Sequence, residues 1–166
     1  MLTTFPRQNY NMPTPSGKVM PMRIKIPIPS KEPLFQTTQE VRVGDLNYGN
    51  HLGNDRLLLV AHEARMKFLN SLGFSELSFF GTSLIMTDAA IQYQAQAFWG
   101  DALTIKLWLE PVNDMRFDLY YLLTKNEDQK VASIKTGLAF FDYDTQRVVK
   151  GSREYLTYLR ELNDLS

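Results

Sequence analysis

The pattern of apolar and polar positions changes character twice along the chain. Up to Pro33 there is no sustained period. A short alternation over Met22–Ile28 (MRIKIPI) suits an edge strand or a clamp on a neighbouring subunit. Phe35 to Val43 reads as a strand with Phe35, Val41 and Val43 on one face. Gly44 to Gly53 (GDLNYGNHLG) is rich in Gly and Asn and predicts a loop with demanding backbone angles. Asn54 then suits an N-cap, and Asp55 in the first turn complements the helix dipole. Leu57, Leu58, Ala61, Ala64, Phe68, Leu69 and Leu72 repeat at helical spacing, and Gly73 suits the C′ position. One helix over Asn54–Leu72 is expected, about 28 Å long. Glu63 and Lys67 form an i,i+4 pair on its polar side.

The second change is to a period of two. Ser83 to Gln96 reads as a long strand with Ile85, Ala89, Ile91 and Tyr93 on one side. Ala102 to Val112 alternates strictly, Leu103, Ile105, Leu107 and Leu109 against Thr104, Lys106, Trp108 and Glu110. Met115 to Lys125 alternates through Met115, Phe117, Leu119, Tyr121 and Leu123, and Lys130 to Asp142 makes the next strand. The short spacers Pro111–Asp114 and Asn126–Gln129 predict antiparallel hairpins. A closing amphipathic helix starts near Ser152 and presents Tyr155, Leu156, Leu159 and Leu162. The economical packing is an α+β, two-layer domain with one long helix on a single antiparallel sheet. Its other face is expected to carry Trp108, Leu122, Ile134, Leu138 and Phe140, which calls for cover by a partner or by the leading segment.

Composition then narrows the function. At 166 residues and 44% hydrophobic, the chain suits one domain with a real core. Seven of the eight prolines, five basic residues and one acid fall in residues 1–33, which read as an extended, basic arm on a domain of residues 34–166. With 18 basic and 18 acidic residues, neither a nucleic acid nor an anionic membrane is an expected partner. The absence of cysteine removes disulfide scaffolds, thiolate catalysis and cysteine-type zinc sites. With two histidines, His51 and His62, neither a metal nor any other cofactor is expected. Met1–Tyr10 lacks the order of a signal peptide and no apolar run is long enough to span a bilayer, so a cytoplasmic location is expected.

The chemistry concentrates at Asp45–Asp55, DLNYGNHLGND. The run N-Y-G-N-H-L-G-N at Asn47–Asn54, H-E-A-R at His62–Arg65 and the turn Gly100-Asp101-Ala102-Leu103 occur in an order that resembles the hot-dog-fold thioesterases, the 4-hydroxybenzoyl-CoA and acyl-CoA thioesterase superfamily. The resemblance covers about Leu34 to Lys150. It implies a hot-dog fold, hydrolysis of an acyl-CoA or acyl-carrier thioester, and a homodimer or a dimer of dimers that builds each site from two chains. Four residues before His51, where many relatives hold a catalytic Asp, this chain has Asn47, and the nearest carboxylate is Asp45. Asparagine is no base but can hold a water or the thioester carbonyl, as in some plant acyl-carrier-protein thioesterases. Asp45, His51 and Glu63 are the candidate bases, and a carboxylate is expected to serve, Asp45 by its place in the loop or Glu63 from the helix.

A thioester is already activated, so its hydrolysis needs a held water, a base and donors for the developing oxyanion. The free N–H groups near Asn54, Asp55 and Leu57 at the helix start are candidates for the donors, with the Asp55 carboxylate turned outward so as not to repel the oxyanion. Phe98 and Trp99 are candidates for an acyl pocket wall, or simple packing. Two rivals remain. A hot-dog hydratase would carry D-x-N-P-x-H, but Tyr48 replaces that proline and Asp45 is six residues from His51. A non-catalytic acyl-thioester-binding protein is compatible with Asn47.

Overall fold

The computed structural model describes residues 24–164. Its elements are β1 (Phe35–Glu40), a 3-10 turn (Val43–Asp45), α1 (Arg56–Ser71), β2 (Ser83–Tyr93), β3 (Ala102–Asn113), β4 (Arg116–Lys125), β5 (Gln129–Asp142), β6 (Arg147–Val148) and α2 (Arg153–Asp164). All strand pairs are antiparallel in one sheet, ordered β1-β3-β4-β5-β2, with β6 added to β5. The strict alternation of β3 and β4 buries Leu103, Ile105, Leu107, Leu109, Phe117, Leu119, Tyr121 and Leu123 in a core shared with Leu57, Ala61, Ala64 and Phe68 of α1. Each leucine, isoleucine or phenylalanine among them contributes about 1.5–3 kcal/mol on burial. Among the described residues no helix is long and apolar enough to cross a membrane.

The long helix is unbroken, as its apolar spacing predicts, but it begins later than expected. Asp55, not Asn54, is the residue before its first turn; its backbone is already helical and its side chain makes no capping bond. The other end follows the prediction. Gly73 has φ of 80°, its N–H reaches the Asn70 carbonyl at 3.0 Å, and the Phe74 N–H reaches Leu69 at 2.9 Å. This is a Schellman closure, which glycine permits because it has no Cβ to clash. The buried face also takes in Val60 and Arg65, while Leu72 is left exposed. Glu63 and Lys67 pair at 2.8 Å.

Three strand readings need correction. The first strand stops at Glu40, so Val41 is buried but Val43 is exposed at the 3-10 turn. In β2 the register shifts between Met86 and Asp88, so Thr87 is an extra residue that reverses the alternation. Leu84 faces the core before it, Ala89, Ile91 and Tyr93 after it, and Ile85 therefore points the opposite way from those three. Ile134 and Leu138 stand opposite Tyr121 and Phe117, which puts them, with Phe140, on the helix side rather than the outer face.

Trp108 and Leu122 do lie on the outer face. There the indole N–H of Trp108 donates to the Lys31 carbonyl at 2.8 Å, and the Lys31 ammonium pairs with Glu110 at 2.8 Å. Ile26 is buried and its N–H donates to the Gln92 side chain at 3.3 Å. Residues 26–31 thus cross the outer face from β2 to β3, and Trp108 is covered by the chain's own leading segment. Residues 24–28 form no strand, and Met22 and Arg23 of the expected alternation lie outside the described residues.

At the far end of the sheet, α2 docks through Tyr155, whose ring meets Phe79, Phe80, Phe117 and Phe140. The Ser152 hydroxyl accepts the Tyr155 N–H at 3.3 Å and starts the helix. Leu156 and Leu159 pack against the core, and the side chain of Leu162 lies outside the described residues.

Candidate active site

The loop before α1 is a small closed hairpin. Leu46 bridges Leu52, the Asn47 N–H reaches the His51 carbonyl at 2.9 Å, and the Asn50 N–H reaches Asn47 at 3.0 Å. Asn50 takes a left-handed backbone, φ 59°, which asparagine tolerates better than most residues. Two further bonds fix the loop in place: Leu52 N–H to the Ala97 carbonyl at 2.8 Å, and Gly53 N–H to the Asp45 carbonyl at 2.9 Å.

Within it, Asn47 and His51 form a pair. The Asn47 amide oxygen accepts the Gly49 N–H at 2.8 Å, while its nitrogen lies 3.3 and 3.4 Å from Nδ1 and Nε2 of His51. His51 Nδ1 is 3.2 Å from the Leu52 carbonyl, which can only accept, so the geometry assigns the proton to Nδ1 and leaves Nε2 with its lone pair. A Cβ at Gly49 would stand 3.0 Å from His51 Nε2 and 3.2 Å from the Asn47 oxygen, so glycine keeps the space this pair needs.

A cavity of about 240 Å³ opens where the loop meets the start of α1, walled by His51, Asn54, Leu57, Tyr93, Gln94 and Gln96 among others. Among the described residues, the N–H groups of Asn54 and Asp55 have no hydrogen-bond partner, whereas the Arg56 N–H is spent on the Gly53 carbonyl at 3.0 Å. The Asp55 side chain is 77% exposed, 3.4 Å from Arg56, and is not among the cavity walls. His51, Asn54 and Leu57 are therefore brought together, with Asn47 behind His51.

Asp45 and Glu63 are not. One Asp45 carboxylate oxygen accepts the Arg42 N–H at 2.9 Å and closes the 3-10 turn. Glu63 sits seven residues beyond Arg56, about 10 Å up the helix, paired with Lys67. Tyr93, Gln94 and Gln96 were not anticipated as site residues; the amides at every second position of Gln94–Gln96 were the available signal. In the H-E-A-R run, Arg65 is buried and pairs with Glu76 at 2.5 Å, and His62 lies 3.3 Å from the same carboxylate, so those residues tie α1 to the segment after it.

Phe98 and Trp99 are exposed and are not among the cavity walls. They precede a turn in which Gly100 has φ of 83° and one Asp101 oxygen accepts both the Lys125 ammonium at 2.7 Å and the Phe98 N–H at 2.9 Å. The Lys125 bond first, then the Phe98 bond, hold the Asp101 carboxyl below its ordinary value of 3.8. The folded state therefore binds this proton more weakly than the unfolded chain. The stabilisation is complete above pH 3.8 and is lost as pH falls through the lower folded value. Asp101→Asn is expected to lower the melting temperature at neutral pH and to flatten the stability slope below about pH 4; a melting series from pH 7 to about pH 2 checks both.

The antiparallel sheet wrapped on one long helix, with a polar loop at the helix start, defines a hot-dog architecture. The family model for the thioesterase-like superfamily matches residues 41–160, and the chain belongs to that superfamily. Among its relatives is a 1,4-dihydroxy-2-naphthoyl-CoA hydrolase of Synechococcus elongatus, 31% identical over 106 residues, or 61% of this chain and 77% of the relative. Many solved structures share the fold. A 1,4-dihydroxy-2-naphthoyl-CoA thioesterase from Synechocystis has a TM-score of 0.69 at 22% identity, covering 78% of this chain and 97% of that one. A Staphylococcus aureus protein in complex with CoA has a TM-score of 0.69 at 18% identity, covering 81% and 87%.

Proposed function

We propose that this protein hydrolyses acyl-CoA thioesters, with His51 as the general base and the N–H groups of Asn54 and Asp55 as oxyanion donors. One observation carries the reading: His51, whose Nε2 keeps the imidazole lone pair beside the Asn47 amide, and Asn54, whose N–H has no partner among the described residues, wall the same cavity at the start of α1. Water held between Asn47 and His51 attacks the carbonyl carbon as Nε2 takes its proton. The carbonyl oxygen becomes an oxyanion against the two N–H groups and the positive end of the helix. Collapse breaks the C–S bond, and the CoA thiolate leaves with the proton from His51. Asn47 positions; it does not take the proton.

The relatives' names point to a hydroxylated aromatic acyl group and to CoA rather than a carrier protein. A further part of the proposal is a homodimer, or a dimer of dimers, formed through the unpaired edge of β2, with the arm of residues 1–33 attached to the hydrolase domain of residues 34–166. The exposed side chains of Leu59 and Met66 on α1 and of Met86 on β2 support a partner there. Free-thiol release from a panel of aryl- and alkyl-CoAs, with acyl-carrier-protein thioesters as a second arm, tests the activity. Turnover of none of them overturns it. Light scattering tests the assembly, and a monomer at micromolar concentration overturns that part.

A further inference from the structure

We infer that Tyr93 sets the upper size of the acyl group this site accepts, and that the extra residue at Thr87 is what puts it there. The inference rests on the thioesterase reading of the cavity. Without the register shift between Met86 and Asp88, the alternation that puts Leu84 on the helix side would send Tyr93 to the outer face. With it, Tyr93, the last residue of β2, lands on the helix side and walls the cavity beside His51 and Asn54. Bulges commonly re-aim a side chain at a site in this way.

The phenol of Tyr93 donates to the Asn54 carbonyl at 3.4 Å, so the ring spans from the end of β2 to the residue two before α1 and closes that side of the cavity. The space left, about 240 Å³, falls below the roughly 300–1,000 Å³ of pockets that take drug-sized ligands. Gln94 and Gln96 also line the cavity, although the Gln94 amide oxygen is held by the Ser133 hydroxyl at 3.4 Å, on the outer face. A methylene chain pushed against the polar groups of His51, Asn54 and Tyr93 would strip their water without replacing its hydrogen bonds. A compact acyl group bearing hydroxyls, such as a hydroxyaryl group, fits; a long alkyl chain does not.

Tyr93 is half-exposed, so its truncation spares the core. The test compares wild type, Tyr93→Ala and Tyr93→Phe on acyl-CoAs from acetyl to palmitoyl and on hydroxybenzoyl-CoA. Binding of S-alkyl-CoA thioethers of the same lengths is measured in parallel. Wild type should favour hydroxybenzoyl-CoA and fall off with chain length. Tyr93→Ala should raise kcat/KM for palmitoyl-CoA relative to hydroxybenzoyl-CoA by roughly tenfold or more, while Tyr93→Phe keeps the wild-type size profile. A wild type that prefers palmitoyl-CoA, or an unchanged profile in Tyr93→Ala, overturns the inference. If no variant turns over any thioester, the thioethers decide. A length limit relaxed in Tyr93→Ala upholds the inference and sinks the hydrolase reading; binding without length dependence, or no binding, sinks the inference as well.

Discussion

His51→Ala is expected to lower kcat on a good acyl-CoA substrate by about 10²–10⁴-fold while the melting temperature and oligomeric state hold. The variant removes the one imidazole that walls the cavity and frees the Asn47 amide from its partner. His51 is only partly buried, so the Leu52 carbonyl it leaves behind keeps access to water and the fold should survive. Three comparisons make the result specific. Asp45→Asn should lower stability more than turnover, because that carboxylate closes the 3-10 turn through Arg42. Glu63→Gln should stay within a few-fold, since its carboxylate pairs with Lys67 outside the cavity. Asn47→Ala should lose less than His51→Ala, as a positioning group rather than the base. Near-normal turnover in His51→Ala beside a hundredfold loss in Glu63→Gln would move the base to the helix of a neighbouring chain.

The largest effect on stability should come from Tyr155. Tyr155→Ala is expected to cost about 3–5 kcal/mol, read from urea unfolding, because the ring is fully buried among Phe79, Phe117 and Phe140 and joins α2 to the sheet. Gly151 marks how tight that packing is: a Cβ there would stand 2.7 Å from both Phe140 and Tyr155. The hydroxyl is another matter. It is buried with no partner among the described residues, and burial pushes its pKa up from the ordinary 10.0. A buried donor left unsatisfied is costly, so Tyr155→Phe should raise stability where Tyr155→Ala lowers it. A loss in both variants would mean that the hydroxyl is hydrogen-bonded in solution.

The site was legible in part. Asn47, His51, Asn54 and Leu57 stand out in the chain because loop asparagines, a lone loop histidine and a helix start are local features; the fold places the last three at one cavity, with Asn47 against His51. Asp45 and Glu63 stand out equally as carboxylates, yet each is engaged elsewhere by a neighbour three or four residues away. Tyr93 looked like any other strand aromatic.

What the sequence determined by itself is whatever a repeat or a local backbone demand can carry. The 3.6-residue spacing specified α1, the twofold alternation specified β3 and β4, and Gly73 marked the helix end through its left-handed backbone. Which face each strand turns inward was decided only by the tertiary structure. An extra residue at Thr87 inverts the parity of β2 without changing its composition, and in β5 a nearly continuous apolar run leaves both faces plausible until Ile134 and Leu138 meet Tyr121 and Phe117. The place of residues 26–31 over Trp108 depends on long-range contacts: the Trp108 N–H to the Lys31 carbonyl, the Lys31–Glu110 pair and the Ile26–Gln92 bond. The cavity likewise joins residues some 40 positions apart, His51 and Asn54 with Tyr93 and Gln94, whose proximity follows from sheet register and helix packing rather than from any spacing along the chain.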